Sequence, residues 1–403
     1  MDFSDSPEER VYREKVHAWL SANASPAVAE QDLSVVADAD NVPRAKEWQA
    51  RKWAAGYAAL TIAKEYGGGG EAPIKQVIYE QEEAKFDVAR GTLDIGLGIC
   101  IPTVVVWGSD AQRDRYVKKA LSGEEVWCQL FSEPSGGSDL AALRTRAVRD
   151  GERWIVNGQK VWTSGAHFAD YGLLLARTDP AAPKHKGITA FIVNMKAAGV
   201  EVRPIRTMAG SAEFNEVFFS DVSIPDSDRL GPPGQGWQVG LSTLMHERMK
   251  AGKGFGLAGW KKMLDIARNA RIDGAPALKD SRVRERIADN WAQEQALRLL
   301  SFRAQTALSQ GGIPGPEQSI SKLVDGTLAQ QAAAFMLDLV GEPAVYAAGS
   351  DSPLRSVYSS WMWAAATRIA GGSDEILRNV IAERVLGLPT DARPDKNTPF
   401  NEL

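Results

Sequence analysis

Residues 126–140 read VWCQLFSEPSGGSDL, and here the hydrophobic pattern of the chain changes its period. VWCQLF is short and rich in aromatic and branched side chains, as a strand is. The glycines and proline behind it force a tight turn. Upstream the period is helical: EERVYREKVHAWL (8–20), AKEWQARKWAAGYAAL (45–60) and APIKQVIYEQEEAKF (72–86) alternate charged and apolar faces. A break at EYGGGGEAP (65–73) marks a loop, because four successive glycines are too costly inside a helix. Downstream, RWIVNGQKVWTS (153–164), YGLLLARTD, GITAFIVNM, VEVRPIRTM and NEVFFSDVSI are strand-like and separated by Gly, Asp and Pro. Within the first of these, Asn157-Gly158 has the chemistry of a type I′ hairpin turn.

After PDSDRLGPPGQG (225–236) the helical period returns and persists to DEILRNVIAERVLG (374–387). The expected fold is therefore mainly α with a central β domain. It comprises an N-terminal helical domain over 1–125, an antiparallel β domain over 126–230, and a C-terminal four-helix bundle or near relative over 231–403.

Composition narrows the function. The 403 residues carry 47 basic and 51 acidic side chains, a net charge of −4, which leaves no electrostatic footprint for a nucleic-acid backbone. The acidic start MDFSDSPEERVYREKV has no apolar signal core, and no run of 18 or more apolar residues follows, so a cytoplasmic location without membrane insertion is expected. Cys100 and Cys128, 28 apart, fit neither a disulfide scaffold nor a zinc site, and His17, His167, His185 and His246 share no ligand spacing. Metal chemistry is not expected.

Three stretches carry candidate chemistry. The turn LFSEPSGGSDL (130–140) exposes backbone amides beside the Ser132 and Ser138 hydroxyls, which suits a phosphate or an electron-rich carbonyl; it also reads as a plain surface loop. QKVWTSGAHFAD (159–170) ends a strand with Trp162, Thr163 and Ser164, an aromatic and two hydroxyls able to stack on and bond to a flat heterocycle; core packing with a polar exit is the alternative. In RIAGGSDEILRNVIAERVLGLP (368–389), Ser373 makes a good N-cap with Asp374 and Glu375 in the first turn, and the two preceding glycines allow close approach of a ligand. A fourth stretch, LSTLMHERMKAGKG (241–254), raises a different question. Gly240, Leu244, Glu247, Ala251 and Gly254 share one helical stripe, an apolar setting in which a carboxylate is costly.

FSEPSGGSD, VNGQKVWTSGAHFAD, LGPPGQGW and GGSDEILRNVIAERVLG, in this order, make the chain resemble the acyl-CoA dehydrogenase family over nearly its whole length. The resemblance implies FAD-dependent α,β-dehydrogenation of an acyl-CoA thioester, with electrons passing on to an electron-transfer flavoprotein. It implies cofactor contacts from Phe131, Ser132, Gly137, Ser138, Trp162, Thr163, Ser164, Gly372, Ser373 and Glu375, with Arg271 at the pyrophosphate. Many members carry the catalytic glutamate where this chain has Gly371. A smaller group carries it on the first bundle helix just before an arginine, which implies Glu247 as base beside Arg248. Ser138, Leu244 and Gly371 would then line the substrate with them, and small residues at Ala370 and Gly371 leave room for a bulky, branched or long acyl chain.

A second departure lies at DLVGEPAV (338–345). Asp338 and a single Gly341 stand where members often have a glutamine and paired glycines that meet the adenosine half of a neighbouring subunit's FAD. A homo-oligomer, dimer or tetramer, and a hetero-oligomer both remain open. So do two rivals: a non-catalytic subunit completing a partner's site, and a flavin monooxygenase or oxidase on the same scaffold.

Overall fold

The computed structural model describes residues 5–27, 39–251, 259–310, 315–316, 318–346, 354–392 and 395–403, leaving out the side chains of 247–251 and 308–309. The chain divides into two compact units. One comprises residues 11–26, 35–247 and 391–403, and the other residues 1–10, 27–34 and 248–390.

The first unit holds helices α1 (Pro7–Asn23), α2 (Val42–Ala54), α3 (Pro73–Glu83) and α4 (Ile101–Trp107), α1 beginning in the other unit. Val16, Leu20, Trp48, Tyr57, Tyr79 and Phe86 form a small core among them, with Tyr57 stacked on Tyr79. The sheet follows: β1 (Trp127–Leu130), β2 (Arg146–Asp150), β3 (Arg153–Lys160), β4 (Tyr171–Arg177), β5 (Ile188–Asn194), β6 (Val200–Ile205), β7 (Phe214–Pro225) and β8 (Arg229–Leu230). Its order is β6-β7-β3-β2-β4-β5-β8, with β1 beside β4. The pairing is antiparallel except along β4, where β1 and one residue of β2 run parallel to it.

The two-residue period of a strand sends alternate side chains to opposite faces. In β4, Leu173 and Leu175 join α4 and the start of the Gly236–Ala251 helix in one core, while Leu174 and Ala176 join Val156, Trp154 and Phe191 in the other. A sheet covered on both faces needs nearly continuous apolar runs, as LLLA and AFIV are.

The Asn157-Gly158 hairpin expected from sequence is not there. β3 runs unbroken through it, and the hairpin closes at Gly151-Glu152 instead, between Asp150 and Arg153. Asn157-Gly158 is a bulge, marked by a register shift against β7. A Cβ on Gly158 would lie 2.6 Å from the Thr145 Cα, so the close approach of that backbone explains the glycine. Asn157 donates through Nδ2 to Asp221 Oδ1 at 2.9 Å and accepts from the Asp221 amide at 3.0 Å, so its polar groups are spent across the sheet rather than in a turn.

The second unit is helical: Trp260–Asn269, Ser281–Ser309, Gln318–Val340, Arg355–Ala364 and Asp374–Val380 are its main helices. Met263, Ile287, Ala332, Met336 and Val357 form its core. Among the described residues no helix is long and apolar enough to cross a membrane.

Candidate active site

The structure brings the first two candidate stretches together. The amide of Val161 donates to the Ser132 carbonyl at 2.9 Å, so the turn after β1 lies against the exit of β3. Glu133 and Gly136 exchange backbone hydrogen bonds at 3.0 Å each, which closes the turn at Pro134-Ser135. Phe131 is buried, Ser132 partly so, and Gly137 and Ser138 are exposed at the rim. A Cβ on Gly137 would meet nothing within 4 Å, so open space adjoins the backbone there.

The β3 exit is strained. Trp162 sits at φ 60°, a left-handed conformation unusual for a bulky residue; the residue is 58% exposed, and its ring meets that of Phe214 in a T-shaped contact. The following Thr163 is held by buried Asn215, whose carbonyl accepts from the Thr163 amide at 3.1 Å and whose Nδ2 donates to the Thr163 carbonyl at 2.9 Å. Thr163 Oγ1 is buried and has no hydrogen-bond partner among the described residues, an arrangement that costs free energy unless a ligand completes it. Ser164 is half-buried beside it.

Behind both stretches lies a buried ion pair that sequence reading missed. Lys160, with no exposed surface, donates to Glu133 Oε1 at 2.7 Å and to the Phe131 carbonyl at 3.0 Å. Glu133 also accepts from the amides of Arg144 at 2.6 Å and Thr145 at 2.9 Å. Burial opposes its charge, but Lys160 and the two amides outweigh burial and hold the carboxyl below the usual range. Burial also lowers the Lys160 ammonium, against the pull of Glu133.

The Gly236–Ala251 helix begins on the sheet, where a Cβ on Gly236 would lie 2.6 Å from the Thr189 backbone. Val239, Gly240 and Thr243 are buried, and Leu244 packs on the core that contains Phe131. A Cβ on Gly240 would stand 3.0 Å from Leu175 Cδ1 and 3.9 Å from Phe131 Cε2, so this glycine lets the helix lie close on β4, with Phe131 in ordinary contact. Thr243 Oγ1 donates to the Val239 carbonyl at 2.8 Å and accepts from Thr103 at 3.1 Å, and Trp107 Nε1 donates to Ser242 at 2.9 Å. The side chains of Glu247 and Arg248 lie outside the described set.

In the helical unit, Ser373 caps the Asp374–Val380 helix as expected, accepting from the Ile376 amide, after Gly371 and Gly372 at φ 68° and 102°. Glu375 is exposed, whereas Asp374 is buried and paired with Arg368. Buried Lys322 donates to the carbonyls of Thr367 at 2.5 Å and Gly372 at 3.4 Å. Neither lysine, nor Arg368, nor Asn215, carried a motif signal. Arg271 lies in a short hairpin with Ala275-Pro276, exposed, its guanidinium on the Gly274 carbonyl at 2.9 Å. Asp338 is exposed near the end of the Gln318–Val340 helix, and Gly341 follows it at φ 68°.

A buried hydroxyl with no partner among the described residues and a left-handed aromatic thus lie together at one strand exit of a sheet covered on both faces. The chain belongs to the acyl-CoA dehydrogenase family. Its N-terminal, middle and C-terminal domain models match residues 6–124, 128–222 and 234–386. Over 386 residues the chain is 33% identical to acyl-CoA dehydrogenase IpdE1 of Mycobacterium tuberculosis, covering 95% of this chain and 98% of that protein. It is 39% identical over 323 residues to acyl-CoA dehydrogenase FadE34 of the same organism, where the match covers 80% of this chain and only 43% of the relative. Among solved structures, the steroid ACAD Tcur3481-Tcur3483 matches with a TM-score of 0.80 at 28% identity, covering 97% of this chain and 100% of that one. The ChsE4-ChsE5 complex from M. tuberculosis matches with a TM-score of 0.77 at 26% identity and the same coverage. The protein is an oxidoreductase that acts on CH–CH groups of acyl-CoA thioesters. The family's cofactor is FAD, and the buried unpartnered Thr163 hydroxyl and the open space at Gly137 fit a flat, hydrogen-bonding group.

Proposed function

We propose that the protein dehydrogenates a bulky acyl-CoA at the α,β positions, with Glu247 removing the α proton. FAD, when bound, supplies the acceptor for the β hydrogen. The residues of this chain then have the tasks of placement and proton removal. Phe131, Ser132, Gly137 and Ser138 form one wall of the cofactor site, Trp162, Thr163 and Ser164 flank it, and Gly372, Ser373, Glu375 and Arg271 are the candidates from the helical unit.

One observation supports Glu247 above all: its helix packs on the core that contains Phe131, through Gly240 and Leu244. Residue 247 follows Leu244 by three positions and Thr243 by four, which continues the same helical stripe. A general base works best when its pKa lies near the operating pH. Arg248 is assigned beside it, and Gly371 is assigned to leave room for the substrate. The steroid named for the Tcur3481-Tcur3483 enzyme makes a polycyclic acyl chain the first class to try. An electron-transfer flavoprotein is the proposed acceptor of the electrons.

The test is a titration of the purified protein with acyl-CoA thioesters of increasing bulk, following bleaching of the flavin band. Glu247→Gln is expected to slow bleaching roughly 10²–10⁴-fold. Normal bleaching by the variant would remove Glu247 as the base.

A second reading has its own support. Two of the similar structures are named as pairs of chains, and FadE34 is more than twice as long as the segment matched. With the divergent Asp338–Gly341 segment, this points to a half of a two-component enzyme. A yellow, active protein purified without a second chain type rejects it.

A further inference from the structure

We propose that Lys160 and Glu133 form a positioning pair that sets the two cofactor-facing segments, 131–138 and 161–164, in register with each other. The inference rests on the reading that these segments face FAD. Removing a lysine and a carboxylate from water costs several kcal/mol per ion, and apolar replacements of buried pairs are often as stable. Stability alone is therefore a weak reason for such a pair. Geometry supplies another.

Among the described residues the hydrogen bonds of the Lys160 ammonium end on the turn, at the Phe131 carbonyl (3.0 Å) and Glu133 Oε1 (2.7 Å). Glu133 carries the constraint onward to the amides of Arg144 and Thr145, just before β2. Val161, the residue directly after β3, donates its amide to the Ser132 carbonyl at 2.9 Å. Two residues past Lys160 stands Trp162 in its left-handed conformation, and immediately after it Thr163 is gripped by Asn215. A bulky residue persists in that conformation only where its surroundings over-determine it. Lys160 on one side and Asn215 on the other provide such a clamp, so the strain at Trp162 and the shape of the turn share one anchor.

The experiment removes both charges together. In Lys160→Met with Glu133→Gln, the amide oxygen can still accept from one of the Arg144 and Thr145 amides, which reach different carboxylate oxygens in the wild type, and no buried charge is left alone. The holoprotein is expected to fold with a cooperative melt, to bind FAD about tenfold more weakly and to show displaced visible flavin bands, because the Phe131 carbonyl and the turn have lost their anchor. A folded double variant with wild-type FAD affinity and spectrum overturns the proposal. Should the double variant not fold, Glu133→Gln alone, which keeps the bond to the Phe131 carbonyl, is expected to weaken FAD binding about threefold, and wild-type affinity would overturn the proposal equally. Thr163→Val separates the two failures. Weaker FAD binding in Thr163→Val beside a normal double variant sinks the pair alone, whereas normal binding in both sinks the assignment of the cofactor site.

Discussion

The turn at 131–138 and the turn at 371–373 are both backed by a buried lysine that donates to backbone carbonyls, Lys160 in one and Lys322 in the other. They differ in what completes the hold. Lys160 shares its burial with Glu133, 27 residues away, and the pair joins separate parts of the β unit. The second turn has a cap and a pair that is half open to water: Ser373 caps the helix that follows, and Arg368, 38% exposed at its side chain, pairs with Asp374 six residues on and donates to Gln330 Oε1 at 3.0 Å. Both turns are tied to distant parts of their own unit, but the first pair is closed to water at both partners and the second is open at its arginine. The first should therefore be the more sensitive to a single change.

The sharpest way to break this comparison is to remove one partner at each turn. Lys160→Met leaves Glu133 charged and buried, and is expected to cost roughly 3–5 kcal/mol in urea unfolding. Arg368→Met also strands a buried carboxylate, that of Asp374, but beside a position open to water, and is expected to cost less, about 1–3 kcal/mol. Equal losses would mean that burial does not distinguish the two turns.

Acid probes the same difference without mutation. The folded state holds the Glu133 carboxyl below its ordinary value, so the pair's contribution is present above the unfolded range near ~4.3 and is lost as pH falls through the lower folded value. The unfolding midpoint of the wild type should therefore fall more steeply below pH ~4.3 than that of the Lys160→Met, Glu133→Gln double variant. Superimposable acid limbs would remove Glu133 as a contributor.

The smallest effect belongs to the cap. Ser373→Ala is expected to cost about 0.5–1 kcal/mol, near the low end for caps because the bond to Ile376 is long at 3.5 Å. A loss above that of Arg368→Met would mean that the cap, and not the ion pair, holds the second turn.

Local pattern was readable wherever one element decides its own form. The apolar runs of β4 and β5, the change of period at Val126 and the Ser373 cap all follow from side-chain spacing along a single strand or helix. Asn157-Gly158 shows where that logic stops. The same dipeptide suits a hairpin or a bulge, and the backbone of Thr145, brought up by β2, decided for the bulge. The site divides in the same way. The motif residues of the two β-unit stretches could be named from sequence, because a glycine-bearing turn or a strand exit is a contiguous feature. Lys160 against Glu133, Asn215 against Thr163 and the left-handed Trp162 came only with tertiary structure. Whether a charge is buried, and by what it is answered, depends on chain segments that periodicity along one element does not bring together.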